Sequence, residues 1–182
     1  MEKIIYKEGC EGQNKLSCIE GIEIDLLNGQ KALIYPKYAE KQVLTSEQIS
    51  KWDAKNETEI EALRVTDTFS ETSVLFSLSS PAAKWVRQFA SFDYGHRNLP
   101  SLLAAMEIQH QKEEIDALAE AIEGADLLRD FTSSVWSCSR TSLNGVWFAS
   151  GGYVYAGSSV NGGSLGTACL AVPTILYREE EI

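Results

Sequence analysis

The sequence predicts an α+β fold, with strands at both ends of the chain and helices between them. Three observations carry this. Residues 21–35 alternate around Asn28-Gly29, a pair that supplies the positive φ of a tight hairpin. Residues 81–123 hold two apolar stripes at helical spacing, each preceded by a capping serine. Residues 133–172 consist of short aromatic and β-branched runs parted by Asn144-Gly145, Gly151-Gly152 and Asn161-Gly162. This order implies a single domain over 1–182, its two ends meeting in one antiparallel sheet with the helices packed around it.

Taken in order, residues 1–15 are expected as an N-terminal arm and 21–35 as the first hairpin, closed by Pro36. Residues 37–72 are more polar and are expected as an insertion or an oligomerisation arm. Within them Thr45 or Ser46 can cap a helix answered by Gln48, with Ile49 and Trp52 on one face. Ile60 and Leu63 are candidate buried contacts further on. Ser80-Pro81 opens a helix near 81–93, with Trp85, Val86 and Phe89 inward. Ser101 caps a second near 101–123, whose stripe runs through Leu102, Leu103, Met106, Ile115, Leu118, Ala119 and Ile122. Glu113, Glu114, Asp116, Glu120 and Glu123 are assigned to its wet side, and Gly124 to its stop. A C-terminal meander follows, with strands at 135–140, 146–150, 153–157 and 168–172.

Composition narrows the function. Of 182 residues, 44% are apolar and the formal net charge is −10, which speaks against nucleic acid, whose phosphates require a basic footprint. No apolar run is long enough to span a bilayer, so no membrane insertion is expected. The start of the chain lacks the apolar core of an export leader, so either the protein does not use that route, and a cytoplasmic location before any assembly is expected, or a leader has been removed. Cys10, Cys18, Cys138 and Cys169 lack metal or redox spacing. Cys138 and Cys169 fall in neighbouring strands and could meet, though buried thiols are the expected state. His96 and His110 read as structural, and neither a phosphate-binding glycine loop nor a nucleophile elbow is present. No metal and no cofactor are expected.

Arg140 is the only charged residue between 133 and 172. Trp136, Trp147, Phe148, Tyr153 and Tyr155 stand there among Ser, Gly and Asn. Rigid aromatics among adaptable polar groups are the chemistry of recognition surfaces. Side chains alternate along a strand, so Tyr153 and Tyr155 share a face.

Several motifs resemble the bacterial and phage branch of the C-type lectin fold over about residues 16–177. Gly95-His96-Arg97-Asn98-Leu99-Pro100-Ser101 is similar to its Gly-aromatic-Arg-Leu-Pro-Thr/Ser segment, with Asn98 extra. Ile115-Asp116-Ala117-Leu118 resembles its helical stretch. Val135-Trp136-Ser137-Cys138-Ser139 resembles its Trp-Ser-Ser segment, and Gly145-Val146-Trp147-Phe148 its next strand. Leu170-Ala171-Val172-Pro173-Thr174 keeps the proline of the last strand and lacks its arginine. Residues 44–55 resemble a segment of phage tail-fibre and receptor-binding proteins. The mixture after Trp136 is similar to the hypervariable segment of the variable proteins of diversity-generating retroelements.

The resemblance implies a ligand-binding protein on a phage virion or bacterial cell surface, taking a protein or cell-surface polymer, and a homotrimer through 44–65. Its variable segment would be 133–175, with Ser139, Arg140, Leu143, Asn144, Tyr153, Tyr155, Ser159, Asn161 and Leu165 as the ligand-binding residues. One alternative is a structural fibre subunit without a diversified site. Another is an enzyme resembling the formylglycine-generating oxidases, with Cys138 and Cys169 as its thiols, although the Arg-Gly-Gly-Ser segment of that family is missing. The Glu-Pro-Asn, Gln-Pro-Asp and Trp-Asn-Asp signatures of calcium-dependent sugar binding are missing as well.

Overall fold

The computed structural model describes residues 2–43, 59–91, 93–141, 145–157 and 169–178. The described elements run β1 (Lys3–Tyr6), β2 (Ile19–Asp25), β3 (Lys31–Ile34), β4 (Ala39–Lys41), α1 (Glu59–Leu63), α2 (Thr68–Ser77) and α3 (Pro81–Arg87). They continue with α4 (Leu102–His110), α5 (Lys112–Ala119), β5 (Val135–Thr141), β6 (Gly145–Ser150), β7 (Tyr153–Gly157), β8 (Cys169–Ala171) and β9 (Thr174–Tyr177). The class is α+β, as expected.

The single sheet is corrected to two. A four-stranded sheet has the order β1-β2-β3-β9, and a five-stranded sheet the order β4-β8-β5-β6-β7. The first hairpin does meet the C-terminal strands, but through β9, which lies beyond the last strand expected at 168–172. Only β5, β6 and β7 form the meander. β8 returns to the far side of β5 and pairs with it in parallel at Val135 and Leu170. The N-terminal arm is also corrected, because β1 is a strand with Lys3 opposite Glu23. The described part of the polar stretch is built into the body too, with Tyr38, Val43, Ala62, Thr68 and Thr72 all buried. The helix expected at 45–52 lies outside the described residues, as do residues 44–58 of the stretch 44–65 assigned to the trimer contact.

The helices follow the capping signals. Ser80 Oγ accepts from Ala83 N–H at 3.2 Å, with Pro81 at the first helical position. Ser101 Oγ accepts from Ala104 N–H at 3.1 Å. The long helix expected at 101–123 is two helices, α4 and α5, parted at Gln111. Asp116 is a correction, being buried rather than wet. Its carboxylate accepts from Leu128 N–H at 2.6 Å and Arg129 N–H at 3.0 Å, which caps the 3-10 turn Leu128–Asp130.

α4 sits between the sheets. Ala104, Ala105 and Ile108 share one core with Ile22, Ile24 and Ile34 of the first sheet and Val135 and Ala149 of the second. Across the second sheet, Trp136, Cys138 and Phe148 pack under Leu75 of α2 and Ala82, Ala83 and Val86 of α3. The second sheet is thus covered by helix on both faces. In the first sheet Gly21 is obligatory, because a Cβ there would lie 2.6 Å from the carbonyl oxygen of Ile34 at a φ of +152°.

Residues 97–101 join five of these elements, each residue bonding to a different one. Arg97 Nη2 donates to the carbonyl of Glu20 on β2 at 2.7 Å. Asn98 exchanges backbone bonds of 2.8 Å with Thr174 on β9. Leu99 N–H donates to Thr72 Oγ1 on α2 at 3.1 Å, Pro100 accepts from Cys138 N–H on β5 at 2.9 Å, and Ser101 caps α4. Arg97 is buried 3.7 Å from the Glu20 carboxylate, with its guanidinium 4.5 Å from the centre of the Tyr35 ring. Ser91 donates to the same carboxylate.

Removing one member of a buried ion pair leaves the other charged and unpaired. Arg97→Ala should therefore cost about 3–5 kcal/mol in urea denaturation. The double variant Arg97→Met with Glu20→Gln should recover part of that loss. An unchanged midpoint for Arg97→Ala would show that the pair carries no stability.

Candidate functional site

The candidate surface is built on β5, β6 and β7. The β6–β7 turn is Gly151-Gly152, at φ 58° and 85°, the two positive angles that a tight two-residue hairpin demands. That turn sets the register, with Phe148 opposite Tyr155 and Ser150 opposite Tyr153. On the other side Trp136 faces Phe148. The three rings form a row across three strands. Trp136 and Phe148 meet edge-on at 5.3 Å, and Phe148 and Tyr155 stack at 5.6 Å and 30°. Trp136 Nε1 donates to the Lys41 carbonyl at 2.7 Å, so its polar handle is used inside.

Burial falls off along the row. Trp136 and Phe148 are each 1% exposed, Tyr155 is 41% exposed, and Tyr153, next on the same face, is 70% exposed. Trp147 points to the opposite face, where it packs with Ala62 and Leu102 and is 8% exposed. Tyr153 and Tyr155 share a face, as alternation requires, and both are exposed, whereas Trp136 and Trp147 are buried.

Ser139 does not belong to this surface. It is buried, and its hydroxyl donates to the Ala62 carbonyl at 3.2 Å. Ser139 lies on the face that α1 covers, the face opposite Trp136 and Cys138. Ser137 is enclosed as well, donating to the Trp147 carbonyl at 2.7 Å. Arg140 lies on β5, where the backbone alone is described. Leu143, Asn144, Ser159, Asn161 and Leu165 lie outside the described residues. Of the residues expected to bind ligand, Tyr153 and Tyr155 are the pair the described structure brings together at the surface.

A cleft of about 690 Å³ adjoins the same hairpin and escaped the sequence reading. Its walls include Leu27 from the β2–β3 turn, Met106 and His110 from α4, Lys112 from α5, and Gly151-Gly152. Leu27 was the available signal, an apolar side chain at the tip of a polar turn, and it is 84% exposed.

The thiols proposed for the oxidase alternative are enclosed. Cys138 and Cys169 both pack in the core beneath α2 and α3, and no disulfide joins them. Burial, with the Glu40 carboxylate adding to it, pushes the Cys169 thiol up to about 12. Among the described residues no three His, Cys, Asp or Glu side chains gather as a metal site, and no helix is long and apolar enough to cross a membrane. No family model, no curated protein and no solved structure matches the chain.

Two outcomes follow from these placements. Trp147→Ala should cost about 3–5 kcal/mol, whereas Tyr153→Ser should stay within about 0.5 kcal/mol, measured by thermal denaturation. Equal losses at the two positions would make Tyr153 part of the core. Cys169 should resist a disulfide-type thiol reagent at neutral pH in the native chain and react only after unfolding; labelling in the native state would contradict its burial.

Proposed function

We propose that the chain is a ligand-binding module with a C-type-lectin-like scaffold, displaying a diversified surface on its C-terminal strands. The observation that carries this is the division within one short stretch. Trp136, Trp147 and Phe148 hold the second sheet from both faces, and Tyr153 and Tyr155 stand outside on the same hairpin. A scaffold that carries diversity requires such a division, because the core side chains must stay fixed while the surface changes. Two tyrosines two residues apart on one strand face offer a rigid aromatic platform, and tyrosine is enriched where binding energy concentrates.

The placement of the motif residues supports the scaffold reading. The segment similar to Gly-aromatic-Arg-Leu-Pro-Thr/Ser is the one that joins both sheets and two helices. A last strand after the proline lies beside the first hairpin. The ligand class this favours is a protein or cell-surface polymer, held by aromatic stacking and neutral hydrogen bonds.

The competing reading is a structural fibre subunit. The stacking of Tyr155 on Phe148 favours it, since that ring is tied to the core row.

Two measurements separate the readings. The encoding gene is compared across independent isolates and with any near-copy repeat. Differences clustered in the codons after Trp136, sparing those of Trp136 and Trp147, are the expected result, and an even spread would leave the structural subunit. The immobilised chain is then tested against bacterial cells and their extracted surface proteins and polymers. Against any bound material, the double variant Tyr153→Ser with Tyr155→Ser should lose about 2 kcal/mol or more, roughly thirtyfold in affinity.

A further inference from the structure

The loop between β1 and β2 brings two thiols together far from the tyrosines in sequence. Lys7 N–H donates to the Cys18 carbonyl at 3.0 Å, which continues the β1–β2 pairing to the end of the loop. Cys10 N–H donates back to the Lys7 carbonyl at 3.0 Å, so a tight turn folds Cys10 over that junction. Gln13 closes the loop from the other side. Its N–H donates to the Cys10 carbonyl at 2.9 Å, and its side-chain oxygen accepts from Cys18 Sγ at 3.6 Å. Both cysteines thus bond to the same two residues, Lys7 and Gln13, which places them side by side in the loop. Residues 11–15 are exposed, Cys10 is half-buried and Cys18 is buried.

We infer that Cys10 and Cys18 form a redox-modifiable dithiol, which closes to an intramolecular disulfide by exchange with a low-molecular-weight disulfide. The accessible partner must react first. The Cys10 thiolate attacks one sulfur of oxidised glutathione, giving a mixed disulfide on Cys10 and releasing one glutathione thiolate. The Cys18 thiolate then attacks the Cys10 sulfur and displaces the second glutathione. The two protein thiols lose two electrons and two protons, and the small disulfide gains them as two thiols. Exchange through a mixed disulfide is the general route for such closure.

The consequence is local and structural. Asn14 and Leu16 are hydrogen-bonded to Glu123, so the loop already leans on the segment after α5. Tyr6 at the end of β1 donates to Asn14. A covalent bond between Cys10 and Cys18 locks this loop and with it the edge strand β1. The reaction is slow at neutral pH, because the hydrogen bond to Cys18 holds the Cys10 thiol above its ordinary value. Some desolvation and the nearby Cys18 and Glu11 add to this, against Lys15. The rate should keep rising with pH beyond the range where an ordinary exposed cysteine levels off.

The test uses the full native chain, incubated with oxidised glutathione, acid-quenched and mapped by mass spectrometry after proteolysis. The expected product carries no glutathione, is lighter by two hydrogens, and yields a linked peptide containing Cys10 and Cys18. Cys18→Ser should instead trap one glutathione on Cys10, and Cys10→Ser should leave Cys18 unmodified. A wild-type chain that keeps glutathione on Cys10 without bridging would overturn the inference. So would a link from Cys10 or Cys18 to Cys138 or Cys169.

Discussion

The packing of this molecule depends on a run of five residues that has no regular secondary structure until its last member caps a helix. Residues 98–100 satisfy backbone groups in the interior by bonding outward to β9, α2 and β5 in turn, and Arg97 reaches β2 through its guanidinium. Buried backbone groups left unpaired are costly, so each bond fixes the position of the element it reaches. Arg97 makes the constraint sharper. Its charge is enclosed, and only the carbonyl and carboxylate of Glu20, with the face of Tyr35 alongside, make that tolerable. The strand carrying Glu20, the end of β3 next to Tyr35 and the start of α4 are therefore placed together or not at all.

Local chemistry was legible in the sequence, and partner choice was not. Ser80, Pro81 and Ser101 mark helix starts because capping is decided within four residues. Gly151-Gly152 marks a hairpin for the same reason. Alternation puts Tyr153 and Tyr155 on one face but does not decide their exposure, since Trp136 and Phe148 share that face and are buried. By contrast, α2, with its sequence Thr-Phe-Ser-Glu-Thr-Ser-Val-Leu-Phe-Ser, has only a weak apolar stripe, and its two phenylalanines Phe69 and Phe76 are exposed. Nothing local announces that β9 pairs with β3, or that β8 crosses to the far side of β5. Those are long-range choices made by packing. Asp116 fits a polar helix face by spacing alone, and its role appears only when the chain after Gly124 folds back onto it.

The serines of the C-terminal segment show how composition can mislead. Ser137 and Ser139 look like material for a polar face, yet both hydroxyls are used to satisfy carbonyls inside the second sheet and against α1. Helices cover that sheet on both faces, so a small polar side chain there is an internal strut. The outward chemistry of the described meander is left to its last hairpin, where the covering helices give out and the tyrosines emerge.

The order β1-β2-β3-β9 makes the first and last described strands the two edges of one sheet. Lys3 and Tyr177 both reach Glu23, one by an ion pair at 3.4 Å and the other by a hydrogen bond from its hydroxyl. Both strands thus have their outer ends at the same end of the sheet, some three strand spacings apart, about 14 Å. A polypeptide spliced on at either terminus would hang from that one layer. The tyrosine hairpin belongs to the other sheet, so the domain can be mounted on a larger body by its ends without using the strands that carry the aromatic platform.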